Sequence, residues 1–385
     1  MPEDLRGLRL DLTNQGLRLS DALRAAGFDL ALGSGTPPAE GLDLILPGGL
    51  WVNVSIAPGY AGTSPFSLDE AGSGFVLKHR SKGSWPVTMP DTVRFRHART
   101  HTGFSCGDIG AVHDRWLVVA PMAPPANGTG LDRPRRFLGL PPQRPLTKRQ
   151  WSVDEVVACA EAAWRHAGVR LVHLEAGWLL AEDGGLAELR PYLTALRRAL
   201  PVLTSVSVLP PADPACILDL YAAGCDAVNY HLLAWNEADA ARVAPLRTRF
   251  VPHARTLAAL HAAARILPRG AVSTDLLVGL EPLDHLDTAM QALTATGVVP
   301  NLTVFRPLPG AEDDAPEGEL VPSDRVLALM STRSRLLTTH GLLETRIRGF
   351  PRVLAGMSPY RPGAAIRWYA GVRRWARIVR PDEAA

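Results

Sequence analysis

The sequence predicts an α/β protein: a partial (β/α)6, TIM-like barrel with an N-terminal α+β module before it and a C-terminal helical extension after it. Three observations predict this. Residues 270–310 read as one β-α-β unit, regular strand–helix alternation runs from Ser152 onward, and residues 1–112 show short apolar runs broken by Gly- and Pro-rich turns instead. In the β-α-β unit, Ala271 to Val278 is a mostly apolar strand rich in β-formers. Leu283, Leu286, Met290 and Leu293 then recur at the spacing of one buried helix face, with Pro282 fitting a first helical position and Gly297 closing the helix. Val298 to Phe305 is the second strand. A crossover helix makes two such strands parallel, so the loops at their carboxyl ends share one rim, where α/β sheets and barrels bind ligands.

The elements follow in order. Leu42 to Leu46 and Trp51 to Ile56 are apolar runs of the N-terminal module, and Trp116 to Ala120 is the first barrel strand. Ser152 with Glu155 forms a capping box that starts a helix ending at Ala167–Gly168, before the strand Val169 to Glu175. A helix from Leu186 to Leu200 leads to the strand Val202 to Leu209. Asp213-Pro214 opens the next helix, which ends at Gly224. Asp226 to Leu232 is the fourth strand, Phe250 to Val251 a short strand, and His253 to Leu267 a helix. After an acidic, Pro-broken loop a helix runs from Ser323 to about Thr339. The expected divisions are 1–112, 113–312 and 313–385.

Composition narrows the function. With 385 residues, 46% hydrophobic and 21% charged, the chain is long enough for a full enzyme-sized core. No apolar run approaches a membrane span, and MPEDLRGLRLDL lacks the apolar core of a signal peptide, so a cytoplasmic location is expected. A net charge of +3 is too small to argue for nucleic acid. The four cysteines, 106, 159, 216 and 225, are widely separated, which indicates neither a disulfide framework nor a zinc site. His97, His101 and His113 read as scattered surface histidines or as ligands of a metal. In the tail, Trp368, Val372, Trp375 and Val379 with interleaved arginines form an amphipathic basic helix. It docks on its own barrel or on a protein partner or anionic surface.

The wording VSTDLLVGLEP followed by NLTVFRPLPG resembles the fifth and sixth strands of radical S-adenosylmethionine (SAM) enzymes. GGLWVNVSIAPGYAGTSPFSLD and VRFRHARTHTGFSCGDIGAVHDRWLVVAP resemble the N-terminal part of the radical SAM proteins of nitrilase (Nit1) gene clusters. The resemblance implies a barrel of radical SAM type that holds SAM at its mouth. It implies cofactor contacts from Phe137, Gly177, Asn229, Ser273, Gly279, Arg306, Pro307 and Leu308. The family carries CxxxCxxC in the loop after the first strand, where three thiolates hold a [4Fe-4S] cluster. Here that loop reads PMAPPANGTGLDRPRRFLGLPP, and aligning Phe137 and Gly139 puts Leu131, Arg135 and Leu138 at the three cysteine positions. None of these side chains ligates iron, so no iron-sulfur cluster and no other metal is expected. Arg133, Arg135, Arg136 and Arg144 form either a solvated loop or a site for a carboxylate or phosphate.

Glu175, before Ala176-Gly177, occupies the place of the family's glycine-rich motif. His231 matches its fourth-strand histidine, but Leu233 stands where the family has a carboxylate. Either residue is a structural strand-end group or a catalytic one. The catalytic candidates are His231, Glu175 and Asp275. The expected function is SAM-dependent polar chemistry, an alkyl transfer or an elimination, in bacterial specialised metabolism. The alternative is a non-catalytic partner of a true radical SAM enzyme.

Overall fold

The computed structural model describes residues 3–25, 42–54, 56, 61–72, 74–113, 115–122, 150–176, 181–243, 245–304 and 321–342. The chain opens with α1 (Glu3–Gln15), β1 (Arg18–Leu19) and α2 (Asp21–Ala25). The hairpin of β2 (Leu42–Leu46) and β3 (Leu50–Val54) follows, then β4 (Phe66–Ala71), β5 (Gly74–His79) and β6 (Gly83–Val87). Strands β1, β4, β5 and β6 form one sheet in that order, and β2 and β3 form a separate ribbon, both strands buried at alternate residues. One core serves both: Leu8, Leu12, Leu44, Val52, Phe66, Leu68 and Leu77 pack together. The expected strands at 42–46 and 51–56 are thus present, the second as Leu50–Val54.

Two short helices, α3 (Val93–His97) and α4 (Cys106–Ile109), lead to β7 (Gly110–His113) and β8 (Trp116–Val119). The alternation then runs through α5 (Val153–Ala167), β9 (Leu171–Glu175), α6 (Leu186–Ala199), β10 (Leu203–Ser207), α7 (Cys216–Ala222) and β11 (Ala227–Asn229). It continues through α8 (Glu237–Val243), α9 (Pro245–Phe250), α10 (His253–Ile266), β12 (Val272–Val278), α11 (Leu283–Ala295), β13 (Val299–Val304) and α12 (Ser323–Thr339). Strands β13 to β7 form one seven-stranded sheet in sequential order. Neighbours from β8 to β13 are parallel, and β7 is added antiparallel on β8. The sheet curls as a half-barrel, which is the partial (β/α)6 barrel expected, with the extra edge strand β7.

The two faces of this sheet differ. One turns Val172, Leu174, Val206, Val228, Leu276, Val278, Leu302 and Val304 onto the helices, joining Val156, Ala160, Leu193, Leu260 and Leu286 in the main core. Side chains alternate along a strand, so the intervening residues face inward, and in β9 to β13 these are largely polar. At the amino end the inner face closes on Trp116, Leu171 and Leu203.

Ser152 accepts a hydrogen bond from the backbone N–H of Glu155 at 3.2 Å, and the Glu155 carboxylate accepts from Ser152 N at 2.7 Å, the reciprocal cap expected. The other Glu155 oxygen accepts from Thr102 at 2.7 Å, so the cap also fastens the segment before the barrel. Gly168 ends the helix at φ +65°, a conformation that costs glycine little. One expectation fails: Phe250 is the last residue of α9 and Val251 lies in a bend, so no strand forms there. Pro252 is the N-cap of α10, and two β-formers before it leave no room for a ladder.

His113 joins the first module to the barrel. Its Nδ1 lies 2.8 Å from Asp43 Oδ2 on β2, with the His113 side chain 12% exposed, so it is neither a scattered surface group nor placed as a ligand with His97 and His101, which are exposed. Burial pulls the imidazole pKa down, but the charge of Asp43 and the hydrogen bond to it outweigh this and raise it. A raised histidine contributes stability that is present in full below its unfolded pKa and is lost as pH rises through the folded value. His113→Ala is therefore expected to cost about 2 kcal/mol at pH 6 and less at pH 9, checked by urea unfolding at both pH values. An equal cost at both would count against the ion pair.

Candidate active site in the half-barrel

Five neighbouring strands each place two polar residues, two positions apart, on the inner face. These are His173 and Glu175 on β9, Ser205 and Ser207 on β10, Asn229 and His231 on and just past β11, Ser273 and Asp275 on β12, and Asn301 and Thr303 on β13. The register sets Glu175, Ser207, Asn229 and Ser273 level with one another, and Asp275 level with Asn301. All are buried except Glu175 and His231, which are part-exposed. Burying this many polar groups costs stability unless they are paired, so the inner face is a candidate ligand face rather than a second core.

The tightest unit is His231 with Asp275. The imidazole Nδ1 lies 2.6 Å from Asp275 Oδ2, and Asn229 Nδ2 donates to the same oxygen at 2.8 Å. Burial alone pushes the Asp275 carboxyl pKa up, but the hydrogen bond and charge of His231, with the amides of Asn229 and Asn301, more than offset this and hold it below the ordinary carboxylate range. Asp275 therefore stays ionised and orients the ring through Nδ1, the arrangement by which a carboxylate readies a histidine to take a proton at Nε2. Three of the residues singled out from the sequence, Asn229, His231 and Asp275, are thus in one hydrogen-bonded group.

The backbone beyond β11 fixes that group. Leu233 has φ +74°, unusual for a residue with a branched side chain, and it is pinned from both sides: its N–H donates to Asp275 O at 2.8 Å, and its carbonyl accepts from Leu277 N at 2.7 Å. The following amides, Trp235 N and Asn236 N, donate to Glu281 at 2.9 and 3.1 Å. Burial raises the Glu281 carboxyl pKa, against these two amide bonds, which lower it. Glu281, Asp239 and His285 hold ligand atoms within 4.8 Å of one another, and no other such group occurs among the described residues. Arg242 already meets Asp239 at 3.1 Å, and Glu281 serves the loop, so the cluster acts as a tie between β11 and β12.

Glu175 stands apart from the dyad, two strands away. Its carboxylate is 3.6 Å from His173 Nε2, and His173 Nδ1 is 2.9 Å from Ser205 Oγ, giving a second polar chain on β9 and β10. Ser273 is buried on the inner face, and Gly279 takes φ +103° at the exit of β12, where a side chain would be strained. Phe137, Gly177, Arg306, Pro307 and Leu308 lie outside the described residues, as do Leu131, Arg135, Leu138 and the basic tail. Sequence reasoning passed over His173, Ser205, Ser207, Asn301, Thr303 and Glu281. The signal for the first five was a polar residue at every second position of an otherwise apolar strand.

No helix among the described residues is long and apolar enough to cross a membrane. No protein-family model and no curated protein sequence matches the chain. Solved structures do. Methylornithine synthase (PylB) aligns at TM-score 0.39 and 14% identity over 48% of this chain and 54% of its own. The FeFe-hydrogenase maturase HydG from Carboxydothermus hydrogenoformans aligns at TM-score 0.41 and 18% identity over 51% and 47%. A radical SAM methyltransferase from Sphaerobacter thermophilus aligns at TM-score 0.37 and 14% identity over 72% and 75%. The chain thus spans about half the length of the first two, 54% and 47%. All three likenesses are at low sequence identity, and the third of these proteins is a radical SAM methyltransferase by its description.

Proposed function

We propose that this protein binds SAM or a related small molecule on the polar inner face and promotes polar, non-radical chemistry such as alkyl transfer or elimination, with His231 as general base. The observation that carries this is the 2.6 Å contact between His231 Nδ1 and Asp275 Oδ2 at the carboxyl end of the sheet, a histidine held in one orientation by a buried carboxylate. Glu175, Asn229 and Ser273 supply a carboxylate, an amide and a hydroxyl on the same face, a donor and acceptor set that suits the amino and hydroxyl groups of SAM. When bound, SAM supplies electrophilic carbons on its sulfonium.

An iron-sulfur cluster does not fit the cysteines of the chain. A radical SAM cluster takes three thiolates from one loop. Here Cys106, Cys159 and Cys225 are buried, Cys159 donating to Cys106 O at 3.6 Å and Cys225 to Ala227 O at 3.0 Å, and Cys216 stands at the start of α7. The loop after β8 carries no cysteine between residues 121 and 150. The reading is therefore one of a barrel whose work falls to acid–base side chains.

Calorimetry with SAM and S-adenosylhomocysteine is the test. Saturable binding at one site per chain is expected, with iron below a tenth of an equivalent after anaerobic reconstitution. A stoichiometric four-iron centre, or no heat with either ligand, would sink the proposal.

A further inference from the structure

Two of the cysteines, 53 positions apart in sequence, meet in the fold. Cys106 opens α4 in the segment before the barrel, and Cys159 sits in the middle of α5, the first helix after β8. Cys159 Sγ lies 3.6 Å from Cys106 O, and the two thiols also hydrogen-bond to each other. Both residues are buried in the main core. Cys106 has only a thin cover, since His101, Thr102 and Gly103 before it and Asp108 after it are exposed.

The contact has a counterpart one helical turn away. Thr102 donates to Glu155 at 2.7 Å, so residues 102 and 106 meet residues 155 and 159, which lie four apart on one face of α5. The segment thus runs along the helix, and a bond between the two sulfurs follows a contact the fold already makes. The thiols are unequal. The hydrogen bond from Cys159 lowers the pKa of Cys106, against burial and the charge of Asp108, whereas burial raises that of Cys159. Cys106 is therefore the thiol that ionises first, with Cys159 beside it as the second sulfur.

We propose that Cys106 and Cys159 form a dithiol modification site, which a hydroperoxide converts into a disulfide that locks the segment between the N-terminal module and the barrel onto α5. The Cys106 thiolate attacks one oxygen of hydrogen peroxide, the O–O bond breaks, and hydroxide leaves as water, so Cys106 becomes a sulfenic acid. The Cys159 sulfur then attacks the Cys106 sulfur, the S–O bond breaks, and a second water leaves. Two thiols and one peroxide give one disulfide and two waters; the sulfurs lose the two electrons that the peroxide gains. The site is separate from the polar inner face and stands whatever that face binds.

The test is titration of the folded full-length chain with hydrogen peroxide, read by non-reducing peptide mass mapping and by urea unfolding. A link between Cys106 and Cys159 is expected in most chains before Cys216 or Cys225 is modified, with the intact chain lighter by two hydrogens. The urea midpoint is expected to rise by about 1 M, and dithiothreitol to reverse both changes. In Cys159→Ala, Cys106 is expected to accumulate as a sulfenic acid trapped by dimedone, whereas Cys106→Ala leaves Cys159 unoxidised. Oxidation elsewhere with both thiols intact, a link that forms only in urea, or sulfinic acid at Cys106 without a link would overturn the site. An unchanged midpoint in the linked chain would overturn the lock. The wild-type chain decides alone if either variant fails to fold.

Discussion

His231→Gln is expected to lower the turnover of the isolated protein by about 10²- to 10⁴-fold, the usual worth of a positioned general base, with KM changed little. Glutamine keeps a donor toward Asp275 but has no group that takes up a proton near neutral pH, so the fold persists while the chemistry stops. Removing the other partner acts differently. Asp275→Ala takes away the group that accepts from His231 at 2.6 Å and Asn229 at 2.8 Å, and is expected to cost about 3 kcal/mol of stability as well as activity. The sign with pH follows from the depressed carboxyl of Asp275. Its contribution to stability is present above the unfolded pKa of about 3.9 and is lost as pH falls through the folded value, so the difference between wild type and Asp275→Ala closes only in acid. Steady-state kinetics and urea unfolding read the two effects separately. Turnover within threefold of wild type in His231→Gln would remove the histidine from the chemistry.

Gly184→Ala is expected to be the most damaging small substitution in the barrel. Gly184 has φ +71°, and a Cβ there would run into the backbone carbonyl of Leu209, with no flexible side chain to give way. The segment between β9 and α6 here crosses the exit of β10, where Ala212 N donates to Glu182 O at 2.7 Å. Relief requires one of the two chains to move, and a loss of about 4 kcal/mol or more is expected, read as a fall in the urea midpoint. Gly168→Ala is the control: its φ is +65° but nothing lies within 4 Å of the added atom, so only about 1 kcal/mol of backbone strain is expected. Equal losses at both glycines would show that the close approach to Leu209 is not real.

Much of the barrel was legible because its strands are buried on both faces and its helices on one, so the period of the apolar residues changes visibly at each boundary. The Ser152–Glu155 cap and the span Ser323–Thr339 follow from local chemistry and appear where expected. The short run Phe250–Val251 misled because β-propensity was read without its neighbours; α9 and Pro252 decide its conformation. Asn229, His231, Ser273 and Asp275 are named from the sequence through the family resemblance and their place near strand ends on one rim. Their mutual contacts could not be read there, since 44 residues separate His231 from Asp275 along the chain. Glu281 left no signal at all: its role is to receive two amides from residues 45 and 46 positions away, which only the folded chain brings to it.

The positive-φ leucine beyond β11 carries a further meaning. Because Leu233 is locked to β12 through both its N–H and its carbonyl, the backbone strain there is sustained by the ladder itself and not by a hinge that swings on ligand entry. The histidine and its carboxylate therefore travel as one rigid piece. The free energy of setting them in place is met once, when the chain folds, and is not charged again when a ligand binds.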